Sequence, residues 1–186
     1  MAVAPTTPRI SVEEYLTVGY HPDVEYVDGL LVERDAPTIS HSLLQAMLSE
    51  YFRRFRKQFR FAALSEPRTQ IVERARYRIP DLMLCPLPLP AGKIVDSIPW
   101  AVIEILSADD RLSEQLARFR DYKRVGVRQM ALLNPEDLVA YRFDENGSLI
   151  ETQFRSLDLP SGSLPFDTKA LFRQLVEERN ECATLS

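Results

Sequence analysis

The chain has 186 residues, with 23 Lys+Arg against 27 Asp+Glu, a net charge of −4 with both histidines neutral. That length suits one domain with its own core, and 45% hydrophobic with 27% charged residues argues against a disordered chain. No apolar run approaches the roughly 18 residues of a membrane span, and Met1–Arg9 lacks an apolar signal core, so a cytoplasmic protein is expected. An acidic balance also argues against a protein that lives by nonspecific phosphate binding. It leaves room for a nucleic-acid enzyme that uses carboxylates to hold a metal.

Residues 1–10 read as a loose arm, 11–180 as a single domain and 181–186 as a tail. Ser11-Val-Glu-Glu14 is a capping-box pattern opening a short helix to about Val18. Asp28-Gly29, inside Glu25–Glu33, is the turn of a hairpin. Ser40 opens a long helix. Leu43, Leu44, Met47, Leu48, Tyr51, Phe52, Phe55 and Phe59 fall on one apolar stripe. Arg53, Arg56 and Lys57 lie off that stripe, as a solvated face or as nucleic-acid contacts. Thr69–Glu73 and Tyr77–Cys85 read as two strands around Arg74-Ala75-Arg76, and the basic residues from Arg68 to Arg78 are further candidate phosphate contacts.

A proline-rich loop, Pro86–Pro99, leads to Trp100–Leu106, a buried-strand pattern. Ser107-Ala-Asp-Asp110 has the form of a helix cap, the helix runs to about Val125, and Gly126 ends it. Gln129–Leu133 is a strand, Val139–Phe143 and Leu149–Phe154 form a hairpin around Asn146-Gly147, and Thr168–Glu178 is a last helix. Strand 100–106, helix 108–125 and strand 129–133 make a βαβ unit, so strands 100–106 and 129–133 should be parallel. The expected class is α/β or α+β, a mixed sheet flanked by helices. Cys85 and Cys182 have no metal-type spacing and read as free thiols.

Two carboxylates stand out. Glu104 sits inside Trp100-Ala-Val-Ile-Glu-Ile-Leu106, and Asp81 leads into the apolar run Leu82–Cys85. A buried carboxylate must be paired, hydrogen-bonded or bound to a cation. If strands 77–85 and 100–106 pair antiparallel about the loop centre at Gly92-Lys93, Asp81 stands opposite Glu104. Strand parity then puts Asp81 on a face with Met83 and Cys85, and Glu104 with Val102 and Leu106. Two carboxylates on one face can hold a hard divalent ion such as Mg²⁺. The other reading is separate pairing of each with an arginine.

Pro80-Asp81, Glu104 in Val-Ile-Glu-Ile-Leu-Ser, Tyr122 with Gly126-Val127, and Asn134-Pro135 together resemble the Uma-two family of bacterial endonucleases, within the PD-(D/E)xK restriction-endonuclease-like superfamily. Glu25-Tyr-Val-Asp-Gly29 and Pro37-Thr-Ile-Ser-His41 extend the resemblance upstream. It implies a restriction-endonuclease-like mixed sheet and metal-dependent hydrolysis of phosphodiester bonds in DNA. Asp81 and Glu104 would ligate Mg²⁺ or Mn²⁺, with the Ile105 carbonyl completing the site. Glu25 would reach the metal directly or through water.

The superfamily's lysine stands two residues after the glutamate, where this chain has Leu106. In the Uma-two family the lysine stands four residues before the tyrosine, where this chain has Arg118. Arginine can clamp a phosphate but does not take a proton. His41 is an accessory ligand, a proton shuttle or a capping-region residue, and Tyr122 packs over Arg118 at i, i+4. A homodimer suits an enzyme that cuts both strands. The alternative is a degenerate nuclease fold that binds nucleic acid or a protein partner without cleavage.

Overall fold

A computed structural model describes residues 9–72, 75–107 and 110–184. The elements in chain order are α1 (Val12–Thr17), β1 (Val24–Val27), β2 (Leu30–Glu33), α2 (Ile39–Phe59), β3 (Phe61–Ser65), β4 (Thr69–Val72), β5 (Arg76–Arg78), β6 (Leu82–Pro86), β7 (Ala101–Ile105), α3 (Leu112–Val125), β8 (Gln129–Asn134), β9 (Val139–Phe143), β10 (Leu149–Thr152), β11 (Ser156–Leu159), β12 (Gly162–Pro165) and α4 (Thr168–Thr184). They form a mixed α+β fold around a six-stranded sheet of order β10-β9-β8-β7-β6-β3. A four-stranded sheet, β2-β1-β5-β4, and the hairpin β11-β12 complete it.

Strand parity sorts the six-stranded sheet into two faces. Leu82, Leu84, Ala101, Ile103, Ile105, Ala131 and Leu133 pack with Leu44, Leu48 and Phe52 of α2 and with Phe172 and Leu175 of α4. Met83, Cys85, Val102, Met130 and Leu132 turn the other way, onto Phe119 and Tyr122 of α3. The second sheet carries α1 over Tyr26 and Tyr77, with the Tyr15 and Tyr26 rings stacked at 5.1 Å.

The register expected for the central pair is the one observed: Leu82 faces Ile103, Met83 faces Val102 and Leu84 faces Ala101. β7 and β8 are parallel across α3. Asp28 and Gly29 both have positive φ, at 52° and 92°, as a tight hairpin turn requires. Gly126, at φ 99°, ends α3 in the left-handed region, where a residue without Cβ is least strained.

Several boundaries differ. The single strand expected over 77–85 is two strands in different sheets. Pro80 has no N–H for a ladder, and the chain crosses from one sheet to the other at Ile79-Pro80-Asp81. Ser107 does not cap α3. The helix begins behind Arg111 with no side-chain cap bond, and the Asp110 carboxylate instead accepts the Ser107 N–H at 2.7 Å. Ala108 and Asp109 of the expected cap, Glu73 and Arg74 of the expected strand and turn, and residues 1–8 of the expected arm lie outside the described residues.

The long helix starts one residue early, capped by Thr38, whose Oγ1 accepts the His41 N–H at 3.1 Å. α4 runs six residues beyond Glu178, to Thr184. β3 and the β11-β12 hairpin were not legible. β3 follows α2 through Arg60 alone, held at φ 57°, without the glycine or proline that usually marks such a break. Both cysteines are free, Cys85 buried and Cys182 exposed. Among the described residues no helix is long and apolar enough to cross a membrane.

Candidate active site

Asp81 stands at the crossing between the two sheets, 4% exposed, and Glu104 stands beside it on β7, 1% exposed. The Asp81 N–H donates to Glu104 Oε2 at 3.2 Å, and the Ile105 N–H donates to Asp81 Oδ2 at 2.7 Å. The Asp81 carbonyl accepts the Gln45 side-chain amide at 3.0 Å and the Glu66 N–H at 3.3 Å. The backbone that presents this carboxylate is therefore tied to α2, to β7 and to the end of β3.

The cations divide between the two carboxylates. Arg34, in the loop before α2, places Nη2 2.7 Å from Asp81 Oδ1 and Nη1 3.1 Å from Glu66 Oε1. His41 Nε2 lies 3.3 Å from Asp81 Oδ2. Arg118 and Tyr122, on one face of α3, reach Glu104. The Tyr122 hydroxyl donates to Oε1 at 2.5 Å, and Arg118 Nη1 is 4.0 Å from the same oxygen.

Burial and the neighbouring Asp81 charge push Glu104 up to about 8, only partly countered by Arg118 and Tyr122. Burial also pushes Asp81 upward. The His41 hydrogen bond and charge, the Arg34 guanidinium and the Ile105 N–H outweigh it and hold Asp81 below its ordinary value. Two adjacent acids are thus driven apart, one ionised and one holding a proton near neutrality. Burial makes the Tyr122 hydroxyl a still weaker acid, and Glu104 adds to it.

Glu25 takes a different place from the one expected. It is fully buried, and both oxygens are engaged. Oε2 accepts Arg78 at 2.7 Å. Oε1 accepts the Ile79 N–H at 3.0 Å and lies 3.1 Å from Arg118 Nη1. Glu25 holds Arg118 in position rather than facing the cavity at Asp81. Arg78 continues the chain of charges to Asp121 of α3, through Nε and Nη2 at 2.9 and 2.7 Å. Asp121 also accepts Arg76 at 2.6 Å, and Arg76 pairs with Asp28.

Arg76 and Arg78 are therefore consumed inside the fold, against the expectation that they contact phosphate. Arg68 lies 3.6 Å from Asp23 and over the Tyr15 ring. Arg53, Arg56 and Lys57 are exposed but remote from the carboxylates. They follow His41 by 12 to 16 residues on α2, about 18–24 Å along its axis. With Arg60 they line a groove of about 670 Å³ beside β3.

A small polar cavity of about 20 Å³ opens at Asp81. Its walls include Arg34, Asp35, His41, Ile105, Asp110, Gln115 and Arg118. Asp35, Gln115 and Arg34 were not singled out from the sequence, where each reads as a surface or helix residue, and Asp110 reads there only as part of a helix cap. Glu104 lies behind this wall.

The carboxylates of Asp35, Asp81 and Asp110 and the Gln115 amide are oxygen donors of the kind a hard divalent ion takes, and they share the wall with the cations Arg34 and Arg118 and with His41. Such an ion commonly takes one or two protein carboxylates and leaves its other positions to water and substrate phosphate. Among the described residues no three His, Cys, Asp or Glu side chains are grouped closely enough to hold an ion alone. Asp81 is paired with Arg34, as the arginine reading had it, and Glu104 is paired chiefly with Tyr122.

The comparisons with known proteins agree with this architecture. A crystal structure of a "putative nuclease belonging to DUF820" from Anabaena variabilis superposes with a TM-score of 0.75 at 21% identity, covering 89% of this chain and 99% of that one. It shows a shared fold. No protein with a curated description matches the chain. The sequence profile of the Uma2 family, described as "Putative restriction endonuclease", matches residues 12–170, which takes in both sheets and every residue of the carboxylate site. The chain belongs to the Uma2 family.

Proposed function

We propose that this protein is a divalent-metal-dependent endonuclease that hydrolyses phosphodiester bonds in DNA, with Mg²⁺ or Mn²⁺ as its cofactor. The observation that carries the reading is the buried pairing of Asp81 with Glu104 beside a polar cavity, in a fold shared with the Anabaena protein described as a "putative nuclease". Asp81 and the Ile105 carbonyl would be the ligands at the cavity, and Glu104, behind its wall, would join them once it loses its proton. A bound ion would polarise the phosphate and lower the pKa of the attacking water. Arg118 is held by Glu25 and supplies fixed positive charge to a phosphate oxygen. It stays protonated and is not the base. His41 and Tyr122 orient the two carboxylates.

The test is nicking of supercoiled plasmid. Nicking is expected with Mn²⁺ or Mg²⁺, is abolished by chelator, and is lost in Asp81→Ala and in Glu104→Ala. Undiminished nicking in either variant would overturn the assignment.

A second reading is favoured by Leu106 at the lysine position and by the Arg34–Asp81 pair. It is a nuclease fold that binds nucleic acid without cutting it. It expects salt-sensitive duplex binding that persists in Glu104→Ala, with no nicking by any form of the protein.

A further inference from the structure

Gln115 is 3% exposed, and its side-chain Oε1 is buried without a hydrogen-bond partner among the described residues. It sits on α3 three residues before Arg118 and seven before Tyr122, on the face that meets the carboxylates. Its side chain lines the same cavity as Asp81, His41 and Arg118. An unpaired buried acceptor costs the fold more than an apolar side chain of the same shape would. A packing role therefore does not account for an amide here. The cavity encloses about 20 Å³ and is open to solvent on one side, so it admits a water molecule beside Gln115 without being closed by it, and its polar walls offer the two to four partners that an ordered water needs.

We infer that Gln115 holds the reacting water. This rests on the nuclease reading above and fills a gap in it. Leu106 stands where a lysine would serve, and Arg118 cannot accept a proton. An amide neither gives nor takes a proton, so what it contributes is orientation. In the step served, water adds across one P–O ester bond: its oxygen joins phosphorus with one hydrogen, that ester bond breaks, and the other hydrogen ends on the leaving oxygen. Gln115 Oε1 accepts a hydrogen bond from the water and stays unchanged.

The experiment compares wild type with Gln115→Leu and Gln115→Glu in three measurements: plasmid nicking with Mn²⁺, Mn²⁺ affinity by calorimetry, and thermal melting in chelator. Gln115→Leu is expected to nick about 10- to 100-fold more slowly, to bind Mn²⁺ as wild type does, and to melt no lower. Gln115→Glu keeps an acceptor oxygen and should retain more of the rate than the leucine variant. Wild-type nicking by Gln115→Leu, or a lowered melting temperature or failure to fold, would overturn the inference and leave the nuclease reading standing. A wild type that does not nick would bring down both.

Discussion

Glu104 and Asp81 are neighbours of one chemical type that behave differently because their surroundings differ. Among the described residues Glu104 has no cation closer than Arg118 at 4.0 Å, while Asp81 has Arg34 at 2.7 Å. The Glu104 carboxyl is raised from 4.5 to about 8, so between those two pH values the folded chain holds a proton that the unfolded chain has released. Stability therefore falls as pH rises through that window, by at most about 1.4 kcal/mol per pH unit. In chelator, Glu104→Gln should lose this part of the pH dependence, as read from urea midpoints at pH 5, 6.5 and 8. An unchanged slope would place the proton elsewhere. Arg34 occupies Oδ1 of Asp81, the carboxylate proposed to hold the metal. Arg34→Gln should bind Mn²⁺ about tenfold more tightly than wild type in calorimetry, and equal or weaker binding would show that Arg34 does not compete.

α3 is fastened to the four-stranded sheet by charge as much as by packing. Glu25 on β1, Arg78 on β5 and Asp121 on α3 form a buried chain of ion pairs, and the same helix carries Gln115, Arg118 and Tyr122 to the site. Removing the middle member leaves Glu25 with Arg118 and the Ile79 N–H, and Asp121 with Arg76, but each loses its bond to Arg78 away from water. Arg78→Met should cost about 3 kcal/mol in urea denaturation, the low end for a broken buried pair because these partners remain, and a cost under about 1 kcal/mol would mean that they and water replace the guanidinium. α2 works at both ends. His41, near its N-terminus, meets Asp81, and Arg53, Arg56 and Lys57 meet the groove beside β3 at the other.

Across the molecule, that separation puts the basic groove and the carboxylates on different parts of the surface. Among the described residues there is one such carboxylate site, and if the proposed cleavage acts on both strands of a duplex, a homodimer supplies the second. Light scattering should give a dimer mass for an active double-strand cutter. A monomer that only nicks would show that strands are cut singly. β3, an outer strand of the six-stranded sheet, lies next to the groove, so anything bound there meets an open sheet edge as well as four cations.

Local pattern was enough for the apolar stripe of α2, the Asp28-Gly29 turn, the Gly126 helix end and the central register, because each depends on periodicity or backbone freedom within a short stretch. The Asp81–Glu104 juxtaposition was legible for the same reason: antiparallel pairing turns one loop centre into a full register. The partners of those carboxylates were not. Arg34 is 47 residues from Asp81 and Arg78 is 53 from Glu25. No periodicity links such positions, and one arginine in a basic stretch looks like another until the fold buries it. Gln115 is an ordinary helix residue in the sequence. It stands out only once packing removes water from its amide and leaves Oε1 without a partner, which is a property of the assembled core and of no local segment.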